Sequence, residues 1–196
     1  MITKSIFSYI YYLNNLIKWK KIKNDLKNIK LLFLDVDGVL TDGGLYINED
    51  GQILKKFDVK DGLGLKLLKE SGIKVVFISG GVGGATEKRA KQLGIEYCLV
   101  GVQNKYREVK NLQRKLNISK TNTAYLGDDI NDMVVKPLVK LLFTTADGSK
   151  LLKRIASASL NNNGGNKVVR ELAERILISK KLWKQYSLKG WIERND

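Results

Sequence analysis

Apolar residues along this chain form short unbroken runs that alternate with stretches of helical spacing. Leu31-Leu32-Phe33-Leu34, Ile73-Lys74-Val75-Val76-Phe77-Ile78, Tyr97-Cys98-Leu99-Val100, Thr123-Ala124-Tyr125-Leu126 and the run 141–144 read as strands buried on both faces. Helices are predicted over 62–70, 84–93, 105–116, a stretch ending at Pro137, and 168–178. Leu45-Tyr46-Ile47 and the run 53–57 flank Asn48-Glu49-Asp50-Gly51, the pattern of a β-hairpin. Alternating strands and helices predict an α/β fold, a parallel sheet with helices on both faces and one hairpin flap after the first strand.

The ends differ from this body. Residues 1–28 are basic and mixed in polarity, with Ile6, Tyr9, Ile10, Leu13, Leu16 and Ile17 on one helical face. The segment is too polar for a membrane span and lacks the apolar core and cleavage site of a signal peptide. A helix packed on the body is the plainer expectation, and weak contact with a membrane surface the alternative. The predicted organisation is an N-terminal extension over 1–28, a domain over 29–178 and a tail over 179–196.

Composition narrows the chemistry. With 43% hydrophobic and 28% charged residues among 196, the chain has the make-up of a soluble globular domain. Its single cysteine, Cys98, lies in an apolar run, which fits a structural thiol and a reducing cytoplasm. Histidine is absent, which removes Ser-His-Asp triads, Cys-His pairs and histidine-based zinc sites. Chemistry must then run on carboxylates, lysine and hydroxyls, and carboxylates favour hard cations such as magnesium. The net charge of +15 concentrates at the ends: residues 1–30 hold seven lysines against Asp25, and residues 178–196 five basic against two acidic groups. A solvated basic surface is the expectation, with no specific nucleic-acid partner.

Polar candidates each follow a predicted strand. Asp35 and Asp37 follow the first, Ser79 the second, Lys105 the third, and Asp128, Asp129 and Asp132 the fourth. In a parallel sheet those ends share one edge, where ligands bind. Carboxylates gathered there repel unless a divalent cation lies among them, and lysine and hydroxyl remain to face a dianion. Phosphoryl transfer needs such a set, because its charge spreads over several oxygens. An EF-hand reading of Asp35-Val36-Asp37-Gly38 fails, since the glycine comes too early and Tyr46 stands where glutamate is required. Ser79-Gly80-Gly81-Val82-Gly83-Gly84 matches neither nucleotide-loop pattern.

The chain resembles the haloacid-dehalogenase-type phosphatases, whose four motifs appear in order. They read Asp35-Val36-Asp37-Gly38-Val39-Leu40-Thr41-Asp42-Gly43, Ser79-Gly80, Lys105, and Gly127-Asp128-Asp129-Ile130-Asn131-Asp132. Within them it is similar to the 3-deoxy-D-manno-octulosonate 8-phosphate phosphatases, through Asp61-Gly62-Leu63-Gly64, Arg89-Ala90, Leu93-Gly94-Ile95, Gly164-Gly165 and Val169-Arg170-Glu171. The resemblance runs from about Ile29 to Ile178 and implies a Rossmann-like sheet. It implies Asp35 as nucleophile and Asp37 as acid and base. Magnesium would be held by Asp35, the main-chain carbonyl of Asp37, and Asp128. Ser79, Gly80, Lys105 and Arg89 would bind phosphate or substrate, supported by Asp129, Asp132, Thr41 and Asp61.

The intervals between motifs leave no room for the cap domain that superfamily members with large substrates carry, so closure falls to neighbouring subunits. The resemblance implies a homotetramer assembled through hairpins at about 44–57. Gly81 stands where the octulosonate phosphatases usually have arginine, and Gln92 where relatives acting on nine-carbon keto acids tend to have lysine. A nine-carbon keto-acid 9-phosphate phosphatase, a broader sugar phosphatase, and a weakly active binding module tethered by basic tails are the alternatives.

Overall fold

The structure, a computed structural model, describes residues 2–190, with the side chains of residues 9, 11–188 and 190 among them. After helix α1 (Ile2–Leu26) the chain enters β1 (Leu31–Asp35), and a small hairpin follows from β2 (Tyr46–Ile47) and β3 (Ile53–Leu54). Then come α2 (Val59–Glu70), β4 (Lys74–Ile78), α3 (Gly84–Gln92), β5 (Tyr97–Leu99), α4 (Lys105–Leu116) and β6 (Thr123–Gly127). The chain ends through β7 (Leu141–Thr144), α5 (Lys150–Ile155), β8 (Ala158–Ser159), α6 (Val168–Ser179) and α7 (Trp183–Lys189). Six strands form one sheet in the order β5-β4-β1-β6-β7-β8, every pair parallel. This is the predicted α/β architecture.

Strand β1 lies inside the sheet, and its side chains alternate between two cores. Leu32 and Leu34 join Val75, Phe77, Leu126 and Phe143 under α1, α2 and α6. Leu31 and Phe33 join Val76, Ile78, Tyr125 and Leu142 under α4 and α5. All four are fully buried, each contributing roughly 1.5–3 kcal/mol. That holds the carboxyl end of β1, where Asp35 lies, in a fixed place.

Several elements depart from the sequence pattern. The helix expected to end at Pro137 is a 3-10 helix, Ile130–Leu138, with that proline inside it. A further 3-10 turn, Lys120–Asn122, and the elements α5, β8 and α7 are too short, or too weakly periodic, to read from sequence. Helix α7 falls in the expected tail, and its Trp183 and Tyr186 pack against the core; residues 191–196 lie outside the described residues.

Helix α1 packs on the body with a different face from the expected one. Tyr9, Leu13, Leu16 and Ile17 are exposed, while Ile22 and Leu26 enter the core and Trp19 stacks on Phe143. The side chains of Ile6 and Ile10 lie outside the described set. The contact that turns the helix is polar. Asn15 donates to the Ser159 carbonyl and accepts from its N–H, both at 2.9 Å, and so stands in for a further strand beside β8. Trp19 donates to the same carbonyl at 3.0 Å.

The loop after β1 is wedged against the segment before α6. The Gly165 N–H donates to the Val39 carbonyl at 2.9 Å, and a methyl group added at Gly164 would overlap the carbonyl of Gly38. Gly164→Ala is therefore expected to cost about 1–3 kcal/mol, as overpacking does, and to displace the loop. Thermal unfolding checks this; an unchanged midpoint would show that the loop yields freely.

Candidate active site

Asp35 ends β1, and the next residues wind into a tight turn. The Val36 carbonyl accepts from the N–H groups of Val39, Leu40 and Thr41 at 3.3, 2.9 and 3.0 Å. The Thr41 hydroxyl accepts from the N–H groups of Gly38 and Gly43, both at 3.3 Å. Gly38 has φ +88°, and a side chain there would collide with the Asp128 carboxylate. Only glycine meets both demands.

The turn sets its two aspartates in unlike surroundings. Asp35 is buried, its side chain 6% exposed, and accepts from the Lys105 ammonium at 2.9 Å. Asp37 is 41% exposed; its Oδ2 accepts from the Ser79 hydroxyl at 3.1 Å, and its Oδ1 pairs with the Lys55 ammonium at 2.7 Å. Asn104 caps α4 by accepting from the Arg107 N–H at 2.9 Å, which makes Lys105 the first residue of that helix. Its ammonium also donates to Asp132 at 2.7 Å.

Asp132 is fully buried and its oxygens are committed. One accepts from Lys105 and from the Tyr125 hydroxyl at 2.6 Å, the other from the Asp128 N–H at 3.0 Å. Asp129 caps the 3-10 helix and forms a capping box with Asp132. Ser79 is buried, donates its N–H to the Leu99 carbonyl at 2.8 Å, and accepts the Val102 N–H at its own carbonyl. Gly80 follows on the exposed surface of that loop.

Electrostatics make this cluster short of positive charge. Burial disfavours a charged Lys105, but Asp35 and Asp132 outweigh it and hold the ammonium pKa above its usual value. Burial and the charge of Asp132 raise Asp35 to about 6, despite Lys105. Burial, then Asp35 and Asp132, raise Asp128 to about 8. One oxygen from each of Asp35, Asp128 and Asp132 lies within 4.8 Å of the others. With Asp132 already occupied, Asp35 and Asp128 keep oxygens for a ligand. A hard divalent cation fits that donor set and would relieve the repulsion.

Two other sequence candidates bond outside the cluster. Arg89 packs its guanidinium over Gly62 at the start of α2, and donates to Gln92 at 3.4 Å. Asp61 accepts from the Arg170 N–H at 2.7 Å, at the first turn of α6. Cys98 is half-buried and unbonded, and burial together with Glu87 pushes its thiol pKa up, against a nucleophilic role. Sequence reasoning passed over Lys55, whose ammonium also donates to the buried Thr86 at 3.3 Å. The available signal was alternation: Lys55 shares a side of its extended segment with Phe57, which packs on the core.

This fold, with a strand-end aspartate, a paired lysine and a carboxylate cluster, defines a phosphohydrolase of the haloacid-dehalogenase type. No protein-family model matches the chain. It is 39% identical over 153 residues to the 3-deoxy-D-manno-octulosonate 8-phosphate phosphatase KdsC of Salmonella typhi, covering 78% of this chain and 81% of that one. The Haemophilus influenzae enzyme of the same name is 34% identical over 156 residues, 80% of this chain and 87% of that one. A solved structure of the Moraxella catarrhalis phosphatase, in complex with magnesium, phosphate and a KDO molecule, matches with TM-score 0.84 and 33% identity. That match covers 87% of this chain and 98% of the other. The chain belongs to the 3-deoxy-D-manno-octulosonate 8-phosphate phosphatase family.

The buried carboxyl of Asp61 yields a pH test. Burial raises it to about 7, against the Arg170 N–H bond, whereas an unfolded aspartate titrates near about 3.9. The folded state therefore binds more protons, and this contribution to stability is full below about pH 4 and lost as pH rises through 7. Asp61→Asn should gain stability relative to the parent between about pH 5 and 8, read by urea unfolding. Parallel curves would mean that Asp61 does not titrate in this window.

Proposed function

We propose that the protein hydrolyses a phosphorylated sugar acid through an aspartyl-phosphate intermediate, with 3-deoxy-D-manno-octulosonate 8-phosphate as the best-supported substrate. The observation that carries this reading is the Lys105 ammonium between Asp35 and Asp132, beside an exposed Asp37 bonded to Ser79. Family membership and the ligands named for the Moraxella catarrhalis structure support the substrate and magnesium. Residues 29–178 would form the catalytic unit, with extensions at 1–28 and 179–196, working in the cytoplasm.

In this mechanism Lys105 holds one oxygen of Asp35, leaving the other to attack phosphorus. Asp37 gives a proton to the departing sugar oxygen. The resulting carboxylate then takes a proton from the water that cleaves the aspartyl phosphate. Its exposure suits an exchanging proton, while the burial of Asp35 suits a nucleophile shielded from competing water. Ser79, the Gly80 N–H and Lys105 would bind the phosphoryl oxygens. Magnesium, bound by Asp35, Asp128 and the Asp37 carbonyl, would supply charge neutralisation at the phosphoryl group. Lys55 would orient Asp37, and its ammonium lies 3.7 Å from where a side chain at Gly81 would begin. The corner that carries arginine in similar enzymes thus still has a cation for a substrate carboxylate.

Phosphate release should be measured across octulosonate, nine-carbon keto-acid and simple sugar phosphates. The octulosonate ester should turn over fastest with magnesium, and Asp35→Asn should lower the rate at least about a thousandfold. Faster turnover of a nine-carbon ester would move the assignment to that alternative. No release from any ester would favour a binding module.

The hairpin supports assembly into a homotetramer. Leu45, Tyr46, Ile47, Ile53 and Leu54 are all exposed on it, so both faces of the hairpin carry apolar side chains that a monomer leaves wet. Light scattering should give a tetramer, and Ile47→Asp with Leu54→Asp should dissociate it and reduce activity. A fully active monomer would sink this reading.

A further inference from the structure

Away from the catalytic cluster, α1 presents a surface that neither the fold nor the proposed reaction uses. The side of the helix turned away from Asn15, Ile22 and Leu26 carries Tyr9, Leu13, Leu16 and Ile17, with Tyr12 on its flank, each between 40% and 63% exposed. Helical spacing gathers these residues into one stripe. Beside the stripe a groove of about 720 Å³ separates α1 from α5, lined by Lys18, Lys21, Lys150, Lys153 and Arg154, with Ile17 on its wall. No carboxylate lines it. Lys18 and Lys153 are anchored, donating to the carbonyls of Ala156 at 3.0 Å and Ala146 at 2.6 Å. Lys21, Lys150 and Arg154 make no hydrogen bond or ion pair among the described residues.

A suitable partner must satisfy the stripe and the groove together. A dissolved polyanion would pair with the cations and leave the apolar stripe in water. An apolar protein surface would cover the stripe but strip water from unpaired cations, at high cost. The interface of an anionic bilayer offers both environments side by side, with acyl chains just below a layer of phosphates. Tyrosines favour that boundary, where the ring is buried and the hydroxyl stays wet. The charge of the segment agrees: Asp25 is the only acid in residues 1–30. Among the described residues no helix is long and apolar enough to cross a membrane, so contact would be with the surface.

We propose that the apolar stripe of α1 and the basic groove between α1 and α5 dock the protein on an anionic lipid bilayer. The residues assigned to catalysis lie on neither helix, so docking and turnover of a soluble ester are separable.

Flotation of the full chain with lipid vesicles tests this. The chain should float with vesicles containing phosphatidylglycerol and not with phosphatidylcholine alone, and rising salt should release it. Lys21→Gln, Lys150→Gln and Arg154→Gln together should lower partitioning roughly a hundredfold, at about fivefold per cation near an anionic surface. Leu13→Ser, Leu16→Ser and Ile17→Ser together should also lower it, and both variants should release phosphate at the parent rate. Equal flotation with both lipids, no flotation, or undiminished binding by the charge variant would overturn the proposal. Loss of oligomer mass in the serine variant, with no vesicle binding by the parent, would make this face a contact between copies and overturn it too.

Discussion

Lys105 enters the interior beside Asp35 and Asp132, with Asp128 close behind, so one cation faces three carboxylates. Such a group is expensive to bury and tolerable only when every oxygen has a partner. The surrounding structure meets that condition at Asp132 and at one oxygen of Asp35. Tyr125 and the Asp128 N–H occupy Asp132, Asn104 starts α4 at the right residue, and β1 delivers Asp35 from between β4 and β6. Two carboxylates remain under-compensated. The most costly part of the interior is therefore also the part suited to receive a dianionic group with its metal.

Much of this was legible in the sequence because strand ends converge by topology alone. Asp35, Ser79, Lys105 and Asp128 could be placed at one edge once the strands were read, and the structure does bring them there. Asp132 could be recognised as part of a motif, but its work as acceptor for Lys105 and Tyr125 depends on contacts between distant elements. Lys55 was invisible for the same reason. Alternation with Phe57 puts Lys55 rather than Lys56 on the inward side, but that it meets Asp37 is decided only by the docking of the hairpin. Arg89 and Asp61 came from resemblance, and in a single chain they lie against α2 and at the start of α6.

Helix α1 gives the clearest case of pattern misleading. Its apolar period selects Tyr9, Leu13, Leu16 and Ile17, yet the helix is turned by Asn15, Tyr11 and Trp19, all bonded to Ser159. Hydrophobic periodicity reports which face wants to leave water, not which face the fold covers. Strand β8, the partner that decides the orientation, is two residues long and leaves no pattern of its own.

The amide of Asn15 has one more consequence. By occupying both the N–H and the carbonyl of Ser159, it ends the ladder of the sheet with a side chain where another backbone could have continued it. Removing α1 would uncover that rung, and an open rung is a template on which strands of other molecules can stack. Helix α1 thus covers a rung of the kind that proteins commonly protect against edge-to-edge pairing. The proposed docking on lipid can be separated from that duty by changing outward-facing residues, but not by cutting the helix away.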